Sequence, residues 1–237
     1  MQRGHLVLFA RAPRLGVGKR RLAADVGDLE AMRFERAMLD RLGRCLAHDP
    51  RWRLRLTVTP DSACRRTRLW PRGVPIDPQG RGDLGVRMLR ALGRCRPGPA
   101  LLVGTDIPAL AASHIAAAFR LLGRYDVVFG PAEDGGFWLV GARRPASLTS
   151  AFAGVRWSGP QALADVLANL PRRVSIGFAA RLQDVDDGAT LHRLGAERGF
   201  YLGRGSRTPA AILQAQRAIP ISGLICTGSA GSRDRFS

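Results

Sequence analysis

Lysine is almost missing from this chain. Of 37 basic residues, Lys19 is the single lysine and the rest are arginines. A composition that puts arginine everywhere else singles out the position where lysine persists. A compact ammonium on a flexible stem does chemistry that a wide planar fork does not. Long apolar runs are missing too, and none approaches the ~20 residues of a membrane span. The start, Met1-Gln2-Arg3-Gly4-His5, runs into a strand without the apolar core and cleavage site of a secretory leader. A cytoplasmic, soluble protein is expected. Cysteine is scarce. Cys45, Cys64, Cys95 and Cys226 form no C-x-x-C pair and have no histidine at zinc-ligand spacing, which argues against a disulfide framework or structural zinc. The histidines His5, His48, His114 and His192 are dispersed, with no H-E-x-x-H, and no G-x-S-x-G elbow is present. Only two tyrosines are available for base stacking. The net charge of +18 is scattered, with no block of five or six like charges. Salt-sensitive adhesion to nucleic acid is expected, and a specific nucleic-acid partner is not.

What is present is an alternation of apolar runs and amphipathic stretches. At 237 residues the default is one α/β domain with a full core. Residues 6–10, 53–59, 74–76, 100–104, 126–129, 137–140 and 174–176 read as strands. Helices are expected over 28–48, where Met32, Leu39, Leu42 and Leu46 share a face, and over 61–70, 112–123, 160–170 and 188–198. A further helix runs through Met88, Leu89 and Leu92. Alternation of this kind predicts a mainly parallel sheet with helices on both faces and ligands at the carboxyl ends of its strands. Residues 203–237 are rich in Gly, Ser, Arg and Ala without periodicity, and read as a mobile tail after a domain spanning 1–202.

Several loops at expected strand ends carry chemistry. The first, R-A-P-R-L-G-V-G-K, follows a strand and precedes a helix, an arrangement that holds nucleotide phosphates. In it Gly16 and Gly18 allow close backbone approach, and Arg11 and Lys19 can neutralise phosphate. The spacing is neither G-x-x-x-x-G-K-[ST] nor G-x-G-x-x-G. Asp106, in G-T-D-I-P, emerges from a buried strand where a carboxylate suits a hard divalent cation, or caps the next turn. Glu133 and Asp134 stand before Gly135-Gly136, where they could orient an acceptor hydroxyl, act as base or hold metal, with a hairpin turn as the competing role. In Asp184-Val185-Asp186-Asp187, alternation points Asp184 and Asp186 the same way. Asp186 could share a metal with Asp106, and an N-cap for the last helix is the competing role.

In order along the chain, F-A-R-A-P-R-L-G-V-G-K-R-R-L, Q-G-R-G-D-L-G-V-R-M, L-L-V-G-T-D-I-P-A-L, V-V-F-G-P-A-E-D-G-G-F-W-L-V-G, V-R-W-S-G-P and D-V-D-D resemble the small bacterial GT-A-type glycosyltransferase-like family. That family lies in the nucleotide-diphospho-sugar transferase superfamily and has a subgroup associated with arsenosugar biosynthesis. The resemblance covers about residues 6–198 and implies a three-layer α/β sandwich. It implies phosphate contact for Arg11 and Lys19, nucleoside or substrate contact for Gly82 and Asp83, Mg²⁺ or Mn²⁺ at Asp106, and Asp134 toward the donor sugar or acceptor. The chain departs from the family pattern at Phe137-Trp138, where Tyr-Tyr is common, at Gly159 for Thr, and at Asp187-Gly188 for Thr-Pro. The activity implied is metal-dependent transfer from a nucleoside-diphosphate sugar to a small-molecule acceptor. The alternative is nucleotidyl transfer from a triphosphate onto a phosphorylated small molecule, with pyrophosphate released.

Overall fold

The structure, a computed structural model, describes residues 3–198. The tail expected over 203–237 lies outside the described residues. The strands are β1 (Gly4–Arg11), β2 (Trp52–Thr59), β3 (Ile76–Pro78), β4 (Ala100–Val103), β5 (Val127–Pro131), β6 (Phe137–Ala142) and β7 (Ile176–Phe178). The helices are α1 (Arg20–Val26), α2 (Asp28–Ala47), α3 (Leu84–Gly93), α4 (Ala112–Leu122), α5 (Ala162–Asn169) and α6 (Gly188–Arg198). The seven strands form one sheet in the order β3-β2-β1-β4-β6-β5-β7. All neighbouring pairs are parallel except those of β6, which runs antiparallel to both β4 and β5.

Parallel strands covered on both faces carry nearly unbroken apolar runs, and Leu6, Val7 and Leu8, with Leu101, Leu102 and Val103, are all buried. One face of the sheet, with Val7, Leu102, Phe129 and Val140, packs on Met88 and Leu92 of α3 and on Val166 of α5. The other face meets α2 and α4. There the Trp52 indole donates to the Leu46 carbonyl at 3.0 Å and stacks on Phe119 with ring centroids 6.1 Å apart. The described residues therefore form a three-layer α/β sandwich.

Two expected elements differ in detail. Residues 61–70 form two short 3₁₀ turns, Asp61–Arg65 and Thr67–Leu69, rather than one helix. The Ala63 carbonyl is taken by the Arg66 amide and the Trp70 indole, partners that a continuing α-helix would not supply. The third strand lies at 76–78, because Pro75 offers only a carbonyl to β2 and pairing continues beyond it.

Strand order reverses between β1 and β4, which creates a crevice at their carboxyl ends. The first loop, Gln79 after β3, Gly104 to Asp106 after β4, and the segment following Pro131 all lie at carboxyl ends of parallel strands. Antiparallel β6 starts at the same edge and brings Asp134 to Phe137 there.

Candidate active site

The crevice holds two adjoining cavities. The first, about 240 Å³, is lined by Ala10, Arg11, Lys19, Glu35, Thr59, Gln79, Arg87 and Thr105, among others. The second, about 290 Å³, is lined by Met88, Ala132, Asp134, Phe137, Trp138, Trp157 and Asp184, among others. Phe9, Leu84, Gly104 and Asp106 line both. The first chamber is rich in cationic side chains. The second is aromatic and acidic, and its lining includes no basic side chain among the described residues.

Asp106 stands at the junction. The backbone carbonyl of Asp106 accepts the Val185 amide at 3.0 Å, which docks the 184–187 segment beside it. Carboxylate oxygens of Asp106, Asp184 and Asp186 can then come within 4.8 Å of one another. Lys19 bridges two of the three. Its Nζ lies 2.6 Å from Asp106 Oδ2 and 2.6 Å from Asp186 Oδ1. Burial opposes the Lys19 charge, but attraction and hydrogen bonds from Asp106 and Asp186 outweigh it and raise the pKa well above the ordinary lysine range. Asp184 is pushed up to about 6, first by burial and then by crowding from Asp106, Asp186 and Asp134. Three clustered carboxylates, two of which already hold an ammonium, suit a hard divalent ion such as Mg²⁺ or Mn²⁺.

The first loop reaches the site through a tight turn at Arg14–Val17. Gly18 follows with φ +97°, and a Cβ there would lie 2.6 Å from Glu35 Oε1. The absence of that Cβ lets α2 lay a carboxylate against the loop. Burial raises the pKa of Glu35 from 4.5 to about 7, with Lys19 and Arg11 opposing the shift. A carboxyl raised in the folded state contributes stability that is full below its unfolded value and is lost as pH rises toward the folded one. Glu35→Gln should therefore raise the urea midpoint at about pH 8 and leave it nearly unchanged at about pH 4. An equal gain at both pH values would show that ionisation of Glu35 is not the cause.

The expected site residues divide. Arg11, Lys19, Asp106 and Asp134 line the cavities, and Asp186 joins through Lys19. Glu133 is exposed and lines neither cavity, and Gly16, Gly18, Gly82 and Asp83 also line neither, Gly82 and Asp83 being exposed. The Asp83 side chain caps α3 by accepting the Val86 amide at 2.8 Å. The cap of the last helix is Asp187, which accepts the Thr190 amide at 2.7 Å, so Asp184 and Asp186 are not used as its caps. Asp134 Oδ1 accepts the Gly136 amide at 2.9 Å, so Asp134 serves the hairpin turn while also facing the second cavity. His114 Nδ1 accepts the Ala111 amide at the start of α4.

Sequence reading passed over Glu35, Gln79 and Arg87. Glu35 lies four residues before Leu39 and seven before Leu42, so a charge on the apolar stripe of α2 was its signal. Gln79 and Arg87 fall within the Q-G-R-G-D-L-G-V-R-M motif, but the motif does not reveal that they contact each other or that Gln79 reaches β1 and β2.

The fold matches that of nucleotide-diphospho-sugar transferase structures. A structure from Desulfovibrio desulfuricans G20, provisionally assigned as a nucleotide-diphospho-sugar transferase, superposes with a TM-score of 0.75 at 26% identity. The match covers 92% of this chain and 96% of that one. Residues 42–159 also match a family described as an uncharacterized protein conserved in bacteria (DUF2064). Two more distant structures share the fold. 4-Diphosphocytidyl-2C-methyl-D-erythritol synthase from Anaerococcus prevotii DSM 20548 has a TM-score of 0.56 at 8% identity, covering 83% of this chain and 96% of that one. Rv0371c from Mycobacterium tuberculosis H37Rv, in complex with manganese, has a TM-score of 0.50 at 18% identity, covering 82% of this chain and 98% of that one. No curated protein matches. No helix among the described residues is long and apolar enough to cross a membrane.

Proposed function

We propose that the chain is a metal-dependent glycosyltransferase that uses a nucleoside-diphosphate sugar and a small hydroxyl-bearing acceptor. One observation carries this reading: a cationic chamber and an aromatic, acidic chamber meet at the Asp106–Lys19–Asp186 junction. A nucleoside diphosphate fits the first chamber, where Arg11 and Lys19 offer charge to phosphate. The sugar and acceptor fit the second, against Phe137 and Trp157. Asp106, Asp184 and Asp186 are the residues that would hold the metal. When bound, a divalent ion supplies charge neutralisation for the diphosphate.

Asp134 is the base in this reading. Its Oδ2 has no hydrogen-bond partner among the described residues and is available for an acceptor hydroxyl proton. As that proton leaves, the acceptor oxygen bonds to the anomeric carbon. The bond from that carbon to the phosphate oxygen breaks, and nucleoside diphosphate departs. The manganese complex of the Mycobacterium tuberculosis neighbour supports the metal assignment through shared fold.

Nucleotidyl transfer onto a phosphorylated substrate requires cationic side chains around that phosphate. The second cavity instead presents Asp106, Asp134 and Asp184, which favours glycosyl transfer.

The test is product analysis with Mn²⁺ and a panel of sugar nucleotides and triphosphates. Release of nucleoside diphosphate from a sugar nucleotide is expected, together with a loss of roughly 10²-fold or more in turnover for Asp134→Asn, with donor binding retained. Pyrophosphate release from a triphosphate would overturn the glycosyl reading.

A further inference from the structure

Every polar group of Gln79 is committed. This side chain is only 2% exposed. Its backbone amide donates to Val58 O at 2.9 Å, and its carbonyl accepts Arg90 Nη1 at 2.6 Å. Nε2 donates to Ala10 O at 3.0 Å and Thr57 O at 3.2 Å. Two carbonyl partners settle which amide atom is nitrogen, so Oε1 must face Arg87, whose Nη1 donates to it at 3.0 Å. Arg87 Nε donates to Asp83 O at 3.3 Å.

The guanidinium is thus held at two of its nitrogens, while Nη2 has no partner among the described residues. Arg87 lines the first cavity beside Phe9 and Leu84. Both Nε2 protons of Gln79 are committed to backbone carbonyls and its Oε1 already accepts from Arg87, which holds the guanidinium in place. A buried, fully satisfied amide used in this way keeps a long side chain in one geometry before a ligand arrives.

Resting on the reading of the first cavity as a nucleoside-diphosphate site, we propose that Arg87, held by Gln79, selects the base. The selected base presents two adjacent acceptors with no donor between them. An arginine has only donors to offer. Guanine meets it with O6 and N7, and cytosine with O2 and N3. Adenine places its N6 donor next to N7 or N1, and uracil separates its two carbonyls by N3–H. A base of either kind leaves an arginine donor facing a donor or unpaired, which is the source of discrimination.

The test is equilibrium titration of the full chain with GDP, CDP, ADP, UDP and pyrophosphate in Mn²⁺. GDP or CDP should bind roughly 10- to 100-fold more tightly than ADP and UDP, the range expected of a good bidentate pair. Arg87→Lys keeps the charge and removes the fork. It should bring the four nucleotides within about threefold of each other and leave pyrophosphate affinity within about twofold. Arg87→Met should do the same, and tests the proposal independently of any contact the lysine makes. Equal binding of all four nucleotides to the wild type would overturn base selection while leaving the nucleotide site standing. Equal weakening of pyrophosphate and GDP by Arg87→Lys would make Arg87 a phosphate ligand and overturn the proposal. Failure of every nucleotide to bind would overturn both this proposal and the reading beneath it.

Discussion

Lys19→Met is expected to tighten Mn²⁺ binding by the nucleotide-free protein by about tenfold or more, a factor of ten being about 1.4 kcal/mol. Removing a positive charge ordinarily has no such benefit for a distant metal. Here the Lys19 ammonium sits 2.6 Å from Asp106 and 2.6 Å from Asp186, on the oxygens proposed to hold the metal. Its side chain is only 11% exposed, so water screens the competition poorly. An ammonium and a divalent ion cannot share those oxygens. Incoming phosphate gives Lys19 another anionic partner, so metal and nucleotide should bind more tightly together than separately. The same variant should bind nucleoside diphosphate more weakly, because it has lost that phosphate contact. It should also melt lower in EDTA and recover in Mn²⁺, since three clustered carboxylates are then without their internal cation. Lys19→Arg should weaken nucleotide binding as well, because a planar fork cannot reproduce a point charge between two carboxylates. Isothermal titration with Mn²⁺, alone and with nucleotide, measures both effects. Unchanged or weaker Mn²⁺ binding by Lys19→Met would show that lysine and metal do not compete for these carboxylates.

Asp106→Asn should abolish the Mn²⁺-dependent stabilisation by nucleotide while sparing the fold. Asparagine keeps the size of the side chain, and the Asp106 carbonyl that accepts the Val185 amide is untouched. Lys19 retains its ion pair with Asp186. Without ligand the melting temperature should therefore move by only a few degrees, at roughly 2–4 °C per kcal/mol for a chain of this size. Ligand at about 100 times its dissociation constant stabilises a protein by roughly 2.7 kcal/mol, or about 5–10 °C here. That increment should appear in the wild type and vanish in the variant, because Mg²⁺ and Mn²⁺ sites on nucleotide enzymes rest on one or two carboxylates. Retention of the shift would move the metal to Asp184 and Asp186. Unfolding of the variant would make Asp106 a structural residue first.

Local pattern carried a long way in this chain. The near-continuous apolar runs of β1, β4 and β5, and the apolar face of α2 that carries Leu39, Leu42 and Leu46, were readable because strand burial and helical periodicity are properties of neighbouring residues. The lone lysine and the carboxylates of G-T-D-I-P and D-V-D-D stood out for the same reason, as residue types at expected strand ends. The sequence by itself determined a mainly parallel α/β sheet, and it marked the strand ends that carry the candidate site, with Lys19, Asp106 and Asp186 as residues of interest. The tertiary structure decided which partners those residues have. Only the strand order sets β1 beside β4 and turns β6 antiparallel, bringing Asp134 to the crevice. Lys19 lies 87 residues from Asp106 and 167 from Asp186, and Gln79 reaches Ala10 across 69 residues. Ion pairs and buried amides act over a few ångströms and have no periodicity along the chain. They exist only once folding has closed those distances.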